Sequence, residues 1–186
     1  MVMGGYNRGS LHDAEFVDFS PFKNVSVPKP ADLPETMTGP VANLVEDCLI
    51  ACGGDGVANC YIYNMEDNTW LKTVSLDQPR FLAVDFVMGD SWYILGGWDS
   101  TTDPYTYLDS TLVYTDGVFH PWHDLPYPAS GACIINVNET HVFYAGGSYG
   151  SGYKSDAFLL EVYSWKWTSL HSMTTQRCSS PETTRR

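Results

Sequence analysis

Four times along the chain an apolar run ends in a pair of glycines: Val2-Met3-Gly4-Gly5, Leu49-Ile50-Ala51-Cys52-Gly53-Gly54, Trp92-Tyr93-Ile94-Leu95-Gly96-Gly97 and Val142-Phe143-Tyr144-Ala145-Gly146-Gly147. The first glycines, Gly4, Gly53, Gly96 and Gly146, stand 49, 43 and 50 residues apart. Periods near fifty belong to radial arrays of four-stranded sheets, each repeat burying its faces against its neighbours.

Each doublet is followed by a polar loop and a second apolar strand: Ala14 to Phe19, Cys60 to Tyr63, Thr111 to Tyr114 and Phe158 to Tyr163. That order is a hairpin signal in every unit. A Trp follows in three units, at Trp70, Trp122 and Trp167, where a large ring suits the space between sheets. Each unit closes on a Leu or Met and a junction: Leu33 to Gly39, Leu76 to Arg80, Leu125 to Gly131 and Met173 to Arg177. The 16 Gly and 11 Pro are spread along the chain and break any stretch long enough for a substantial helix. With 14% aromatic and 17% charged residues, the composition favours a packed, all-β fold over disorder.

This ordered set resembles the kelch repeat over essentially the whole chain. The first unit departs from the pattern, with Phe22 or Val25 where a Trp is expected, and only Arg80 and Arg177 keep the junction arginine. The resemblance implies an incomplete kelch-type β-propeller of four-stranded antiparallel blades. Its parts would be a partial blade at 1–38, blades at 39–79, 80–127 and 128–175, and the start of another at 176–186. Propellers close with about four to eight blades, so about three and a half blades imply a fragment, either of a longer protein or of an incompletely defined gene. Standing alone, its open sheet edges predict poor solubility or edge-to-edge assembly, which a monodisperse monomer in light scattering would refute.

The formal charge of -12 repels phosphate backbones and anionic headgroups, so nucleic acid is not an expected partner. No apolar run is long enough for a membrane span. The Met1 end lacks the basic-then-apolar layout of a signal peptide, which has little weight if both ends are cut through blades. We expect no enzyme and no cofactor. The glycine doublets read as backbone turns, since none opens a helix as a phosphate loop would. His120 and His123 flank Trp122 on an extended strand, a spacing that does not put both rings on one side. Asp55, Asp99 and Asp103 read as turn residues, not calcium ligands. No paired-carboxylate motif is seen, and no nucleophile elbow is expected. A propeller-based oxidase or hydrolase ranks last.

The five cysteines, Cys48, Cys52, Cys60, Cys133 and Cys178, are odd in number, so at least one stays free or pairs outside this segment even in an oxidising compartment. Cys52 and Cys60 flank the loop Gly53 to Asn59. Two readings stand side by side: a cross-strand disulfide, implying secretion, or two small apolar strand residues in a reducing cytosol. Cys48 and Cys133 are alternative partners. The sequons Asn24-Val25-Ser26 and Asn138-Glu139-Thr140 suit an extracellular surface, although such triplets recur by chance. The compartment stays open.

Function on such a scaffold resides in loops, because packing consumes the strands. In kelch proteins the loops after the doublets and those joining blades form the binding face. By motif position these are Tyr6, Arg8, Asp55, Trp98, Asp99, Tyr105, Tyr107, Tyr149 and Tyr153, with Arg80, Tyr127 and Arg177 at junctions. The long Trp98 to Asp109 loop holds the ring types that dominate interface energetics. The expected function is recognition of a peptide or protein segment; the alternative is an extracellular adhesion or matrix protein held by the disulfide. Roles such as substrate selection for a ubiquitin ligase would need an adaptor domain that these residues do not contain.

Overall fold

The computed structural model describes residues 2–3, 14–15 and 29–175. Among them the chain is all-β, with no helix, so none is long and apolar enough to cross a membrane. At the start, β1 (Val2–Met3) pairs antiparallel with β2 (Ala14–Glu15). Three sheets follow, each laid down as an antiparallel meander in chain order. The first is β3 (Val41–Val45), β4 (Cys48–Cys52), β5 (Cys60–Asn64) and β6 (Thr69–Lys72). The second is β7 (Val84–Met88), β8 (Ser91–Leu95), β11 (Thr111–Thr115) and β12 (Val118–Pro121). Between its middle strands the chain makes a separate hairpin, β9 (Trp98–Asp99) with β10 (Thr106–Tyr107). The third sheet is β13 (Ser130–Asn136), β14 (His141–Tyr149), β16 (Ala157–Glu161) and β17 (Lys166–Ser169), with β15 (Gly152–Tyr153) paired to the end of β14.

The sheets pack face to face, and the first strand of each lies against the first strand of the next. The middle sheet is therefore covered on both faces, which explains why β8 reads as a continuous apolar run instead of alternating. Trp92 and Ile94 of β8 join a core with Val41, Ile50 and Cys52 of the first sheet. Tyr93 and Leu95 point the other way, into a core with Val142, Tyr144 and Leu160 of the third. The far side of the first sheet is closed by Leu33 and Met37 against Tyr61, Tyr63 and Trp70.

The doublets occupy equivalent places in all three sheets. Gly53 and Gly96 follow the second strands of their sheets and Gly146 lies inside the longer β14, and each donates to the carbonyl preceding the third strand, at Asn59 (3.1 Å), Ser110 (3.1 Å) and Asp156 (3.0 Å). The next glycine donates across the junction, Gly54 to Arg80 O at 3.1 Å and Gly97 to Ala129 O at 2.8 Å. Gly96, at φ +63°, shows why no side chain is tolerated: an added Cβ would collide with the Ala129 carbonyl. A second repeating contact links the first strands. Leu82 N donates to Gly39 O at 3.2 Å, and Gly131 N to Leu82 O at 2.8 Å, all three residues at positive φ.

The position expected of Trp122 needs correcting. Trp70 and Trp167 lie opposite Tyr63 and Leu160, and the matching place opposite Tyr114 is filled by Phe119. The cause is the turn. The middle hairpin closes with Asp116-Gly117, both at positive φ, the two-residue geometry that fits strand twist, whereas the flanking sheets use the four-residue turns 65–68 and 162–165. Trp122 is displaced beyond β12, where it is 43% exposed with its ring 6.2 Å from Trp165.

Candidate binding surface

The loops after the three doublets leave the sheets at the same end and touch in sequence. Gly56 of the first lies beside Ser100 and Thr101 of the second. Tyr107 of the second donates its hydroxyl to Gly150 O of the third at 3.1 Å. The middle loop is anchored at its base, where Phe81 and Trp98 exchange backbone hydrogen bonds of 2.9 and 3.0 Å and their rings lie 5.4 Å apart.

On that base stands a connected aromatic cluster. The Trp98 ring meets Tyr105 edge-on at 4.6 Å and stacks with Tyr107 at 5.9 Å, and Tyr107 meets Tyr149 edge-on at 5.5 Å. These separations and tilts are those favoured by the ring quadrupoles. Tyr105 is 58% exposed and Tyr149 50%, so the cluster presents faces to solvent while its base is held. Tyr105, Tyr107, Pro128, Tyr149 and Gly150 border an open groove of about 540 Å³. Beside it the Lys154 ammonium lies 5.1 Å above the Tyr127 ring and 5.9 Å above Tyr149. Burial, aided by the Asp156 carboxylate, pushes the Tyr127 hydroxyl up to about 12. It therefore stays a donor at neutral pH, directed to Gly146 O at 3.2 Å.

Of the residues expected on this face, the structure brings together Trp98, Tyr105, Tyr107 and Tyr149; Tyr153 is exposed on β15 beside them, and Asp55 is exposed in the first loop. Tyr6, Arg8 and Arg177 lie outside the described residues. Two residues are not available to a partner. Arg80 has no exposed surface, because its guanidinium is used internally by Gly96 O, Ser110 O, Ser110 Oγ and Asp77. Asp99 is buried too, its Oδ1 accepting from the backbone N–H and hydroxyl of Thr101 at 2.8 and 2.6 Å. Motif position alone puts both on the face, and it fixes a Cα without saying where a side chain finds partners. Pro128 and Gly150 escaped the sequence reading, since neither residue type signals recognition.

This arrangement has a counterpart among solved structures. It is similar to one described as "Structure of YjhT". The match has a TM-score of 0.70 at 16% identity and covers 81% of this chain and 57% of that one. The likeness is one of fold, and this chain spans little more than half of that chain's length. No family model matches the sequence, and no curated protein does. One motif at the end of β14 bears on catalysis. Gly146-Gly147-Ser148-Tyr149-Gly150 has the spacing of a nucleophile elbow, contrary to the expectation that none occurs. An elbow requires a sharp strand-to-helix turn. Ser148 instead lies within β14, paired with Ser130 across the ladder, with the two hydroxyls 3.0 Å apart.

Beneath the first loop, Cys52 and Cys60 face each other in the ladder and are joined as a disulfide with S–S 2.00 Å, both fully buried. Cys48 and Cys133, the alternative partners, are exposed free thiols. The positions equivalent to the disulfide hold Leu95 and Thr111 in the second sheet, and Ala145 and Ala157 in the third.

Proposed function

We propose that this chain is part of a kelch-type β-propeller that binds a peptide or protein segment through the loops following its glycine doublets. The observation that carries the reading is the contiguous, half-exposed cluster of Trp98, Tyr105, Tyr107 and Tyr149, supplied by two neighbouring sheets at one end. Rigid aromatic rings over a fixed base lose little entropy on contact and bury large areas, which is the composition of interface hot spots. The propeller reading is supported by the matching places of the doublets and by the first strands lying against one another in turn. On this reading the chain is a non-catalytic module. The Cys52–Cys60 disulfide favours the second reading, an extracellular adhesion or matrix protein, over a cytosolic adaptor.

Selection of a displayed random-peptide library on the folded chain tests the proposal. The wild type should enrich peptides whose binding is lost in a Tyr105→Ala/Tyr149→Ala variant of unchanged melting temperature. Failure to enrich, or full binding by the variant, would refute it.

A further inference from the structure

The sequon Asn138-Glu139-Thr140 lies in the turn between β13 and β14, at the end of the third sheet opposite its doublet. Asn138 is exposed, and its Oδ1 accepts from the backbone N–H of Thr140 at 2.9 Å, the Thr140 hydroxyl at 3.0 Å and the backbone N–H of His141 at 2.9 Å. The hydroxyl thus donates to the amide oxygen, and His141 Nδ1 lies 2.7 Å from that hydroxyl. Asn138 Nδ2 has no partner among the described residues. The amide is held with its oxygen engaged and its nitrogen free. Next to it opens a depression of about 500 Å³ bordered by Met88, Asn136 and Tyr163, the last 74% exposed. The space and the aromatic face suit a first sugar residue.

A separate observation concerns the compartment. A buried disulfide such as Cys52–Cys60 persists in oxidising compartments, and the secretory lumen, where oligosaccharide transfer takes place, is one of them. We propose that Asn138 carries an N-linked oligosaccharide. In the transfer, Nδ2 forms a bond to the anomeric carbon of a lipid-pyrophosphate-linked oligosaccharide. The bond from that carbon to the pyrophosphate oxygen breaks, the lipid pyrophosphate leaves with the electron pair, and the amide proton is lost to a base. A glycan there stands away from the aromatic groove and leaves it open.

The test is expression of the full chain behind a secretory leader in eukaryotic cells, with peptide mass spectrometry after glycosidase release in heavy-oxygen water. Asn138 should be recovered as labelled Asp, the signal should vanish in Asn138→Gln and Thr140→Val, and Thr140→Ser should restore it. Site-resolved detection separates this from the Asn24 sequon. Lumenal chain with Asn138 bare would overturn the proposal, whether the Cys52–Cys60 pair is oxidised or reduced. Neither result bears on peptide binding.

Discussion

The Nη1 of Arg80 donates to the carbonyl of Gly96 at 3.1 Å, while the carbonyl of Arg80 accepts from the N–H of Gly54 at 3.1 Å. One residue thereby ties two successive doublets. At the next junction the equivalent backbone position is Ala129, which accepts from Gly97 but has no side-chain donor to offer. Tyr127, two residues earlier, performs that task, its hydroxyl reaching Gly146 O. The carbonyl of the first doublet glycine is capped from the preceding junction in both cases, by different chemistry.

Arg80→Ala should destabilise the chain by roughly 1.5–3 kcal/mol, the usual worth of hydrogen bonds to a charged group, because Gly96 and Ser110 lose their donor. Arg80→Lys should recover only part of this, since one ammonium cannot at once serve the two carbonyls held by Nη1, the Ser110 hydroxyl held by Nη2 and the Asp77 carboxylate held by Nε. Urea denaturation measures the order; stability unchanged in Arg80→Ala would mean that the guanidinium does not cap the doublet.

Two glycines at positive φ separate backbone conformation from steric contact. Gly117, φ +78°, has open space where a Cβ would go, so Gly117→Ala should cost only about 1–2 kcal/mol. Gly96→Ala adds a collision with the Ala129 carbonyl and should cost clearly more. Equal losses in melting temperature would contradict the close approach of the two units.

Asp85 joins the first two sheets, its Oδ2 accepting from Asn43 Nδ2 at 3.0 Å and from the indole N–H of fully buried Trp92 at 2.7 Å. Asp85→Ala orphans that indole and should cost about 1–3 kcal/mol. Burial raises the Asp85 carboxyl above its ordinary 3.8, with the two donors opposing. A raised acid contributes stability that is complete below its unfolded value and lost as pH climbs through the folded one. Wild type should therefore gain on Asp85→Asn as pH falls from neutral toward 4. A stability difference that does not vary with pH would rule out the burial effect.

The Cys52–Cys60 bridge spans a sequence separation of 8, a loop whose closure entropy is worth about 2.5 kcal/mol. Reductant should lower the denaturation midpoint of wild type accordingly and leave a Cys52→Ala/Cys60→Ala variant unmoved. An equal response of the two proteins would show the bridge to be absent.

The units, the doublets and the hairpins could be read from the chain because each is a local matter of period, turn chemistry and glycine. The same reasoning put Cys52 and Cys60 on facing strands, with the choice between bridge and thiols left to the structure. It misplaced Trp122, because a two-residue shortening at Asp116-Gly117 alters which side chain faces Tyr114. It also set Arg80 and Asp99 on the surface, where their partners show them buried.

The sequence by itself determined an all-β chain of repeating antiparallel sheets and the loops that carry Trp98, Tyr105, Tyr107 and Tyr149. Only the tertiary structure decided that these rings meet, that Arg80 turns inward and that Tyr127 caps Gly146. The reason is range: strand and turn preferences act between residues near in the chain. A guanidinium or phenol, by contrast, takes whichever acceptor the packing of one sheet on the next leaves within about 3 Å, and no repeat pattern encodes that distance.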